Sequence, residues 1–129
     1  MLSSLVFVKA NRLPLQIAAA IGATVIATSS SDAKLEAAKE LGAVHTINYV
    51  STPRWEKVVL DLSHGEGVDH VLEVGGGSTI EQSVECTKRG GLISLVGFLT
   101  GGKKVNLIGP LVFGSKTCES ILSSVACIR

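Results

Sequence analysis

Few residues of this chain have the types and spacing that chemistry asks for. His45, His64 and His70 stand apart, and none lies a helical turn from another or from a cysteine. A metal centre needs several ligands converging on one point, so this spacing gives no reason to expect one. No serine sits in a G-x-S-x-G elbow, and no G-x-x-x-x-G-K-[ST] phosphate loop occurs. Glu36 and Glu40 share a helical face with Lys39 beside them and read as solvated surface, while Asp61 and Glu66 flank a helix end. Glu73 is the exception, a carboxylate inside an apolar run just ahead of Gly75-Gly76-Gly77. It reads as a rim group accepting hydrogen bonds from loop amides, because buried polar groups are as a rule paired. No catalytic constellation is expected.

The residues do make a binding geometry. Ser29-Ser30-Ser31, Gly75-Gly76-Gly77 and Gly97-Phe98-Leu99 each follow a run rich in β-branched aliphatics. In an open parallel sheet, ligands settle beyond the carboxyl ends of the strands. Glycines let a backbone approach a ligand closely, and Phe98 and Leu99 offer an apolar face to a flat ring. One such loop would be ordinary. Three in register at strand ends point to a nucleotide site.

The elements that must position these loops follow from periodicity. Residues 25–28 form a continuous apolar run rich in β-branched residues, of the kind buried on both faces of a parallel sheet. Ser31 and Asp32 then supply a cap, Leu35, Ala38 and Leu41 recur at helical spacing, and Gly42 marks a stop. Residues 44–48 read as a strand, and Thr52-Pro53 as a helix start. Trp55, Val58, Val59 and Leu62 give that helix one apolar face. Residues 68–74 read as a strand. Ser78 or Thr79 caps a helix with Ile80, Val84 and Thr87 inward and Gly90-Gly91 as its stop, and residues 92–96 are the next strand. Residues 105–108 are a strand candidate followed by a break at Gly109-Pro110. The apolar tail that follows (Leu111-Val112-Phe113, Ile121-Leu122) either closes the sheet edge or docks on another chain, and an exposed apolar edge favours docking. Alternating strands and helices of this length imply an α/β fold with a parallel sheet, in a single domain over residues 1–129.

Composition bounds the function. At 129 residues the chain is 46% hydrophobic and 18% charged, with a mean hydropathy of +0.42, which excludes general disorder. Twelve basic residues against eleven acidic ones remove the electrostatic reason to expect nucleic acid or a membrane surface as partner. Fourteen glycines and 4% aromatics call for an aliphatic core and frequent turns. Three widely spaced cysteines, Cys86, Cys118 and Cys127, suit a reducing compartment, and a cytoplasmic location is expected. Lys9, Arg12 and the apolar run 13–27 outline a secretory leader, but Gln16 and the β-branched switch at Thr24-Val25-Ile26 favour a buried helix leading into a buried strand. The run is too short and alanine-rich for a membrane span.

Residues 22–35 (GATVIATSSSDAKL), 38–43 (AKELGA), 45–49 (HTINY), 67–76 (GVDHVLEVGG) and 90–97 (GGLISLVG) closely resemble zinc-type, medium-chain alcohol dehydrogenases and their quinone-reductase relatives. The resemblance runs from about Leu15 to about Ile121. It implies a Rossmann-like, doubly wound parallel sheet, here truncated at both ends, that binds a nicotinamide dinucleotide. The family's catalytic domain, which supplies most of the substrate pocket and any zinc ligands, has no counterpart in these residues, so no zinc is expected in this chain. The family's glycine-rich turn after the first strand corresponds to residues 5–14 (LVFVKANRLP), which hold no glycine. Lys9 or Arg12 would have to supply by charge what that turn gives through its amides. NAD-preferring members place an acid at the end of the second strand, where this chain has Ser29, followed by Ser30, Ser31 and Lys34. The resemblance therefore implies NADP over NAD, with cofactor contacts from Ser29, Ser30, Ser31, Lys34, Val74, Gly75, Gly76, Gly97, Phe98 and Leu99. Leu5-Val6-Phe7-Val8 is expected to fill the central first-strand slot, with Lys9 to Arg12 as a shortened loop and Pro14 in the first turn of the next helix. Two functions stay open: a cofactor domain of an oxidoreductase acting on an alcohol or carbonyl, or a non-catalytic remnant that binds nucleotide weakly or pairs, as a homodimer or with a partner chain, through its carboxyl-end edge.

Overall fold

The computed structural model describes the backbone of residues 4–8, 12–96 and 106–120, with side chains for 12–96 and 106–119. In chain order the elements are β1 (Ser4–Val8), α1 (Arg12–Ala20), β2 (Thr24–Ser29), α2 (Asp32–Glu40), β3 (His45–Asn48), α3 (Trp55–Leu62), β4 (Val68–Glu73), α4 (Ile80–Cys86), β5 (Thr87–Leu95), α5 (Ile108–Gly114) and β6 (Thr117–Ser120). The strands form one sheet in the order β3-β2-β1-β4-β5-β6, and every ladder is parallel. This is the doubly wound order of dinucleotide-binding folds.

The placement of β1 decides the architecture. It pairs with β2 from Ser4↔Thr24 to Val8↔Thr28, and with β4 from Leu5↔His70 to Val8↔Glu73. The apolar tetrad 5–8 thus fills the central slot, as an uninterrupted apolar run should. Pro14 lies in the first turn of α1, where its missing N–H has no helical partner to lose. Of the expected short loop from Lys9 to Arg12, residues 9–11 fall outside the described residues, and Arg12 instead opens α1.

Helices cover the sheet on both faces. Val25 and Ala27 of β2 pack with Leu15 and Ala18 of α1 and Ala38 of α2, while Ile26 joins Val71, Ile93, Trp55 and Val59 in a second core. Adjacent residues of one strand divide between two cores because strand side chains alternate. The α1–α2 core is built of short side chains, so its backbones sit close. Gly42 has a φ of +112°, and a Cβ there would come 2.6 Å from Cβ of Ala19, so glycine is needed on both counts. Among the described residues no helix is long and apolar enough to cross a membrane.

Three expected boundaries move, and one expected buried residue is exposed. The third helix starts at Trp55 rather than Thr52-Pro53, because the Thr52 N–H donates to the Asn48 carbonyl in a turn. Leu62, expected on the buried face, is 37% exposed at the last position of α3. The helix expected to run to Gly90-Gly91 ends at Cys86, and β5 begins at Thr87, which pairs with Val68. Gly90, at φ +76°, sits where the β4–β5 register shifts, so these glycines bend a strand rather than stop a helix. Finally, Ile108, Gly109 and Pro110 open α5 instead of forming a strand end and a break, since proline is tolerated in a first turn. Val105, Ile121 and Leu122 lie outside the described residues. β6 pairs with β5 from Leu92↔Thr117 to Leu95↔Ser120, so residues 117–120 extend the sheet and become its edge strand.

Two titrating groups tie this packing to pH. Glu56 is buried at 1% exposure, and burial alone would raise its pKa. Hydrogen bonds from Arg54 Nε (2.6 Å) and Gln82 Nε2 (2.5 Å) outweigh that and hold the carboxyl below its usual range. His70 is pushed below its ordinary value of 6.5 by burial, against an opposing pull from Glu119. Both groups bind fewer protons folded than unfolded, so acid destabilises the fold. The His70 contribution is complete above pH 6.5 and is lost as pH falls below it, and that of Glu56 is lost below 4.5. The melting temperature is expected to fall from neutral pH to mildly acidic pH, and His70→Gln to flatten that part of the profile. An unchanged profile in the variant would exclude His70 as the source.

Candidate functional site

The carboxyl ends of the strands converge on one edge of the sheet. Val8 pairs with both Thr28 and Glu73, so the carboxyl ends of β1, β2 and β4 lie side by side. The chain runs from β1 to β2 and β3 on one side, then crosses to β4 on the other. A crevice opens at such a switch point.

The three serines after β2 do different things. Ser29 is buried at 3% exposure, and its Oγ accepts the Ser31 N–H at 3.2 Å. Ser31 caps α2 by accepting the Lys34 N–H at 3.4 Å. Ser30 is exposed, as is Lys34 in the first turn of α2. Asn48 and Tyr49, which sequence reasoning did not single out, brace this loop from the end of β3. The Tyr49 N–H donates to the Ser29 carbonyl at 3.2 Å, and Asn48 Nδ2 donates to Asp32 Oδ1 at 2.8 Å. Their only advance signal was position, at the end of the neighbouring strand. The Asp32 carboxylate is thereby turned to Asn48, and no acid occupies the Ser29 position.

The loop after β4 is organised by Glu73. Its Oε1 accepts N–H bonds from Gly75 (2.7 Å) and Gly76 (3.0 Å) and the Thr79 hydroxyl (2.8 Å), while Oε2 accepts the Ser83 hydroxyl. The expected bonds to loop amides are present. The expected rim position is not, because Glu73 is fully buried. A Cβ on Gly75 would lie 2.5 Å from Thr79 Oγ1 and 3.0 Å from Glu73 Oε1, so only glycine lets the loop close over the carboxylate. With the Gly75 and Gly76 amides engaged with Glu73, this loop offers a ligand close approach rather than N–H donors. Val74 is half-buried beside it. Gly97, Phe98 and Leu99 lie outside the described residues.

A cleft of about 320 Å³ separates α1 from α2, lined by Arg12, Leu15, Ala33, Lys34, Ala37, Ala38 and Leu41. Arg12, the first residue of α1, and Lys34 are its charged members. The histidines do not converge. His64 is exposed in a turn at φ 56°, His45 is half-buried on β3, and His70 Nε2 lies 2.8 Å from Ser94 Oγ. Among the described residues no group of three or more His, Cys, Asp or Glu could hold a metal ion.

Cys86 and Cys118 are free thiols. Burial pushes the Cys86 thiol up to about 12, and burial together with the Glu73 charge raises Cys118. Neither is a poised nucleophile. In the native protein at about pH 8, iodoacetamide is expected to modify half-buried Cys118 while leaving Cys86 untouched until denaturant is added. Peptide mass mapping checks this, and prompt native alkylation of Cys86 would contradict it.

Known proteins carry the same arrangement. A sequence model described as zinc-binding dehydrogenase matches residues 13–126. The zinc-type alcohol dehydrogenase-like protein C1773.06c of Schizosaccharomyces pombe is 54% identical over 85 residues, covering 66% of this chain and 25% of that protein. The 2-haloacrylate reductase of a Burkholderia species is 41% identical over 81 residues, covering 63% of this chain and 24% of that protein. The chain thus spans about a quarter of the length of these curated relatives. The crystal structure of Escherichia coli quinone oxidoreductase complexed with NADPH superposes with a TM-score of 0.80 at 28% identity, covering 92% of this chain and 37% of that one. With a parallel sheet in the dinucleotide-binding order and a family match over most of its length, the chain belongs to the zinc-binding dehydrogenase family.

Proposed function

We propose that residues 1–129 act as one nicotinamide-dinucleotide-binding domain that takes NADP in preference to NAD. The observation that carries this reading is the end of β2, where Ser29 stands in place of an acid and exposed Lys34 follows in the first turn of α2. A carboxylate there would hold both ribose hydroxyls and repel a 2′-phosphate, whereas hydroxyls and a cation accept it. The residues present fit the group. Ser29, Ser30, Ser31 and Lys34 would hold the adenosine ribose and its phosphate, and Val74, Gly75, Gly76, Gly97, Phe98 and Leu99 would border the rest. When bound, the dinucleotide supplies a hydride donor or acceptor, and in the family setting its partner is an alcohol or carbonyl carbon. Fluorescence titration of the purified chain tests the reading. A saturable NADPH response tighter than that of NADH is expected, and tighter NADH binding would overturn the preference.

A second role is favoured by the carboxyl-end edge. Ile108, Val112 and Phe113 of α5 are 76%, 67% and 84% exposed, and the helix leads directly into edge strand β6. Such a surface suits pairing with a second copy of the chain. Sedimentation is expected to show a dimer that Phe113→Glu dissociates, and a monomer at all concentrations would remove this role.

A further inference from the structure

Most cations with described side chains are engaged. Lys39 pairs with Glu36 at 2.7 Å, Arg54 with Glu56 at 2.6 Å, Lys57 with Glu85 at 3.0 Å and Lys88 with Asp69, while Lys116 donates to the Val84 carbonyl. Among the described residues, Arg12 and Lys34 have no carboxylate within ion-pair distance, and both line the α1–α2 cleft. Arg89, also without one, is not part of that cleft.

Two cations thus border one cleft of about 320 Å³, and an anion seated between them would be attracted by both. The rest of the lining is apolar, from Leu15, Ala33, Ala37, Ala38 and Leu41. Neighbouring parallel strands deliver the pair: α1 follows β1 and begins with Arg12, and α2 follows β2 and carries Lys34 in its first turn. A guanidinium fork and a mobile ammonium together match the several oxygens of a phosphate monoester better than either alone.

We propose that Arg12 is a specificity-determining residue, clamping a ribose 2′-phosphate together with Lys34 at the α1–α2 cleft rather than compensating at the pyrophosphate for the missing glycine turn. The assignment rests on the dinucleotide reading above and adds to it a cation from a different helix.

Arg12→Gln, Arg12→Lys, Lys34→Gln and the Arg12→Gln/Lys34→Gln pair, each made in the full chain, separate the alternatives. Arg12 is exposed, so far-ultraviolet circular dichroism should not change. Arg12→Gln is expected to weaken NADPH and 2′-AMP by about tenfold while leaving NADH and 5′-AMP as in the parent. Arg12→Lys should restore part of the loss, and the double variant should bind NADPH more weakly than either single one. Equal weakening of NADH and NADPH would place Arg12 at the pyrophosphate and overturn the proposal, as would no change in either. If the parent chain binds neither dinucleotide but binds 2′-AMP in an Arg12-dependent way, the domain reading fails and the phosphate clamp stands. If 2′-AMP also fails to bind, the clamp falls with it.

Discussion

Glu73→Ala is expected to unfold the chain or lower its melting temperature by about 15 °C, from a loss of roughly 4 kcal/mol. The carboxylate is fully buried and accepts the Gly75 and Gly76 amides and the Thr79 and Ser83 hydroxyls. Alanine leaves these donors inside the protein without an acceptor and a cavity where the carboxylate was. Losing a buried acceptor costs about 1–3 kcal/mol for each stranded donor, less whatever water recovers. Glu73→Gln should cost far less. Its carbonyl oxygen can keep the two glycine amides and Thr79, while its NH₂ donates to Ser83 Oγ, which then acts as acceptor. Calorimetry on the two variants checks the account. An alanine variant that melts with the parent would show that the β4–α4 loop does not depend on this carboxylate.

Ser29→Asp is expected to produce the largest change in ligand choice, weakening NADPH by about a hundredfold while leaving NADH as tight or tighter. Ser29 ends β2, and its Oγ accepts the Ser31 N–H at 3.2 Å, a bond an aspartate oxygen can keep. The added charge would then face the 2′-phosphate of one cofactor and the ribose hydroxyls of the other. NADH titration serves as the folding control. Equal affinities for the two cofactors in the variant would place the 2′ position elsewhere.

Much of the architecture was legible because single-period patterns dictate it. The apolar tetrad 5–8 had no polar residue to turn outward, so a central slot was its natural place, and Val25–Ile26–Ala27 could only be a strand covered on both faces. The departures came where one residue type has two uses. Gly90-Gly91 read as a helix stop, yet these glycines bend β5 at a register shift that only the partner strand reveals. Gly109-Pro110 read as a break, although a proline in a first helical turn is as ordinary as one in a loop. Glu73 was legible as an acceptor of loop amides. Its burial was not, because the donors Thr79 and Ser83 reach it only once α4 folds back over β4. Asn48 and Tyr49 went unnoticed for a similar reason, since their bonds to the serine loop cross from β3 to β2.

The central claim is that a nicotinamide dinucleotide lies against the serine loop at the end of β2. Amide hydrogen exchange of the full chain, with and without saturating NADPH, tests it most directly. The account predicts slowed exchange across residues 29–34, with the Gly75 and Gly76 amides slow in both states because they are bonded to Glu73. Unchanged exchange across 29–34 at saturating NADPH, or protection confined to other parts of the chain, would contradict it.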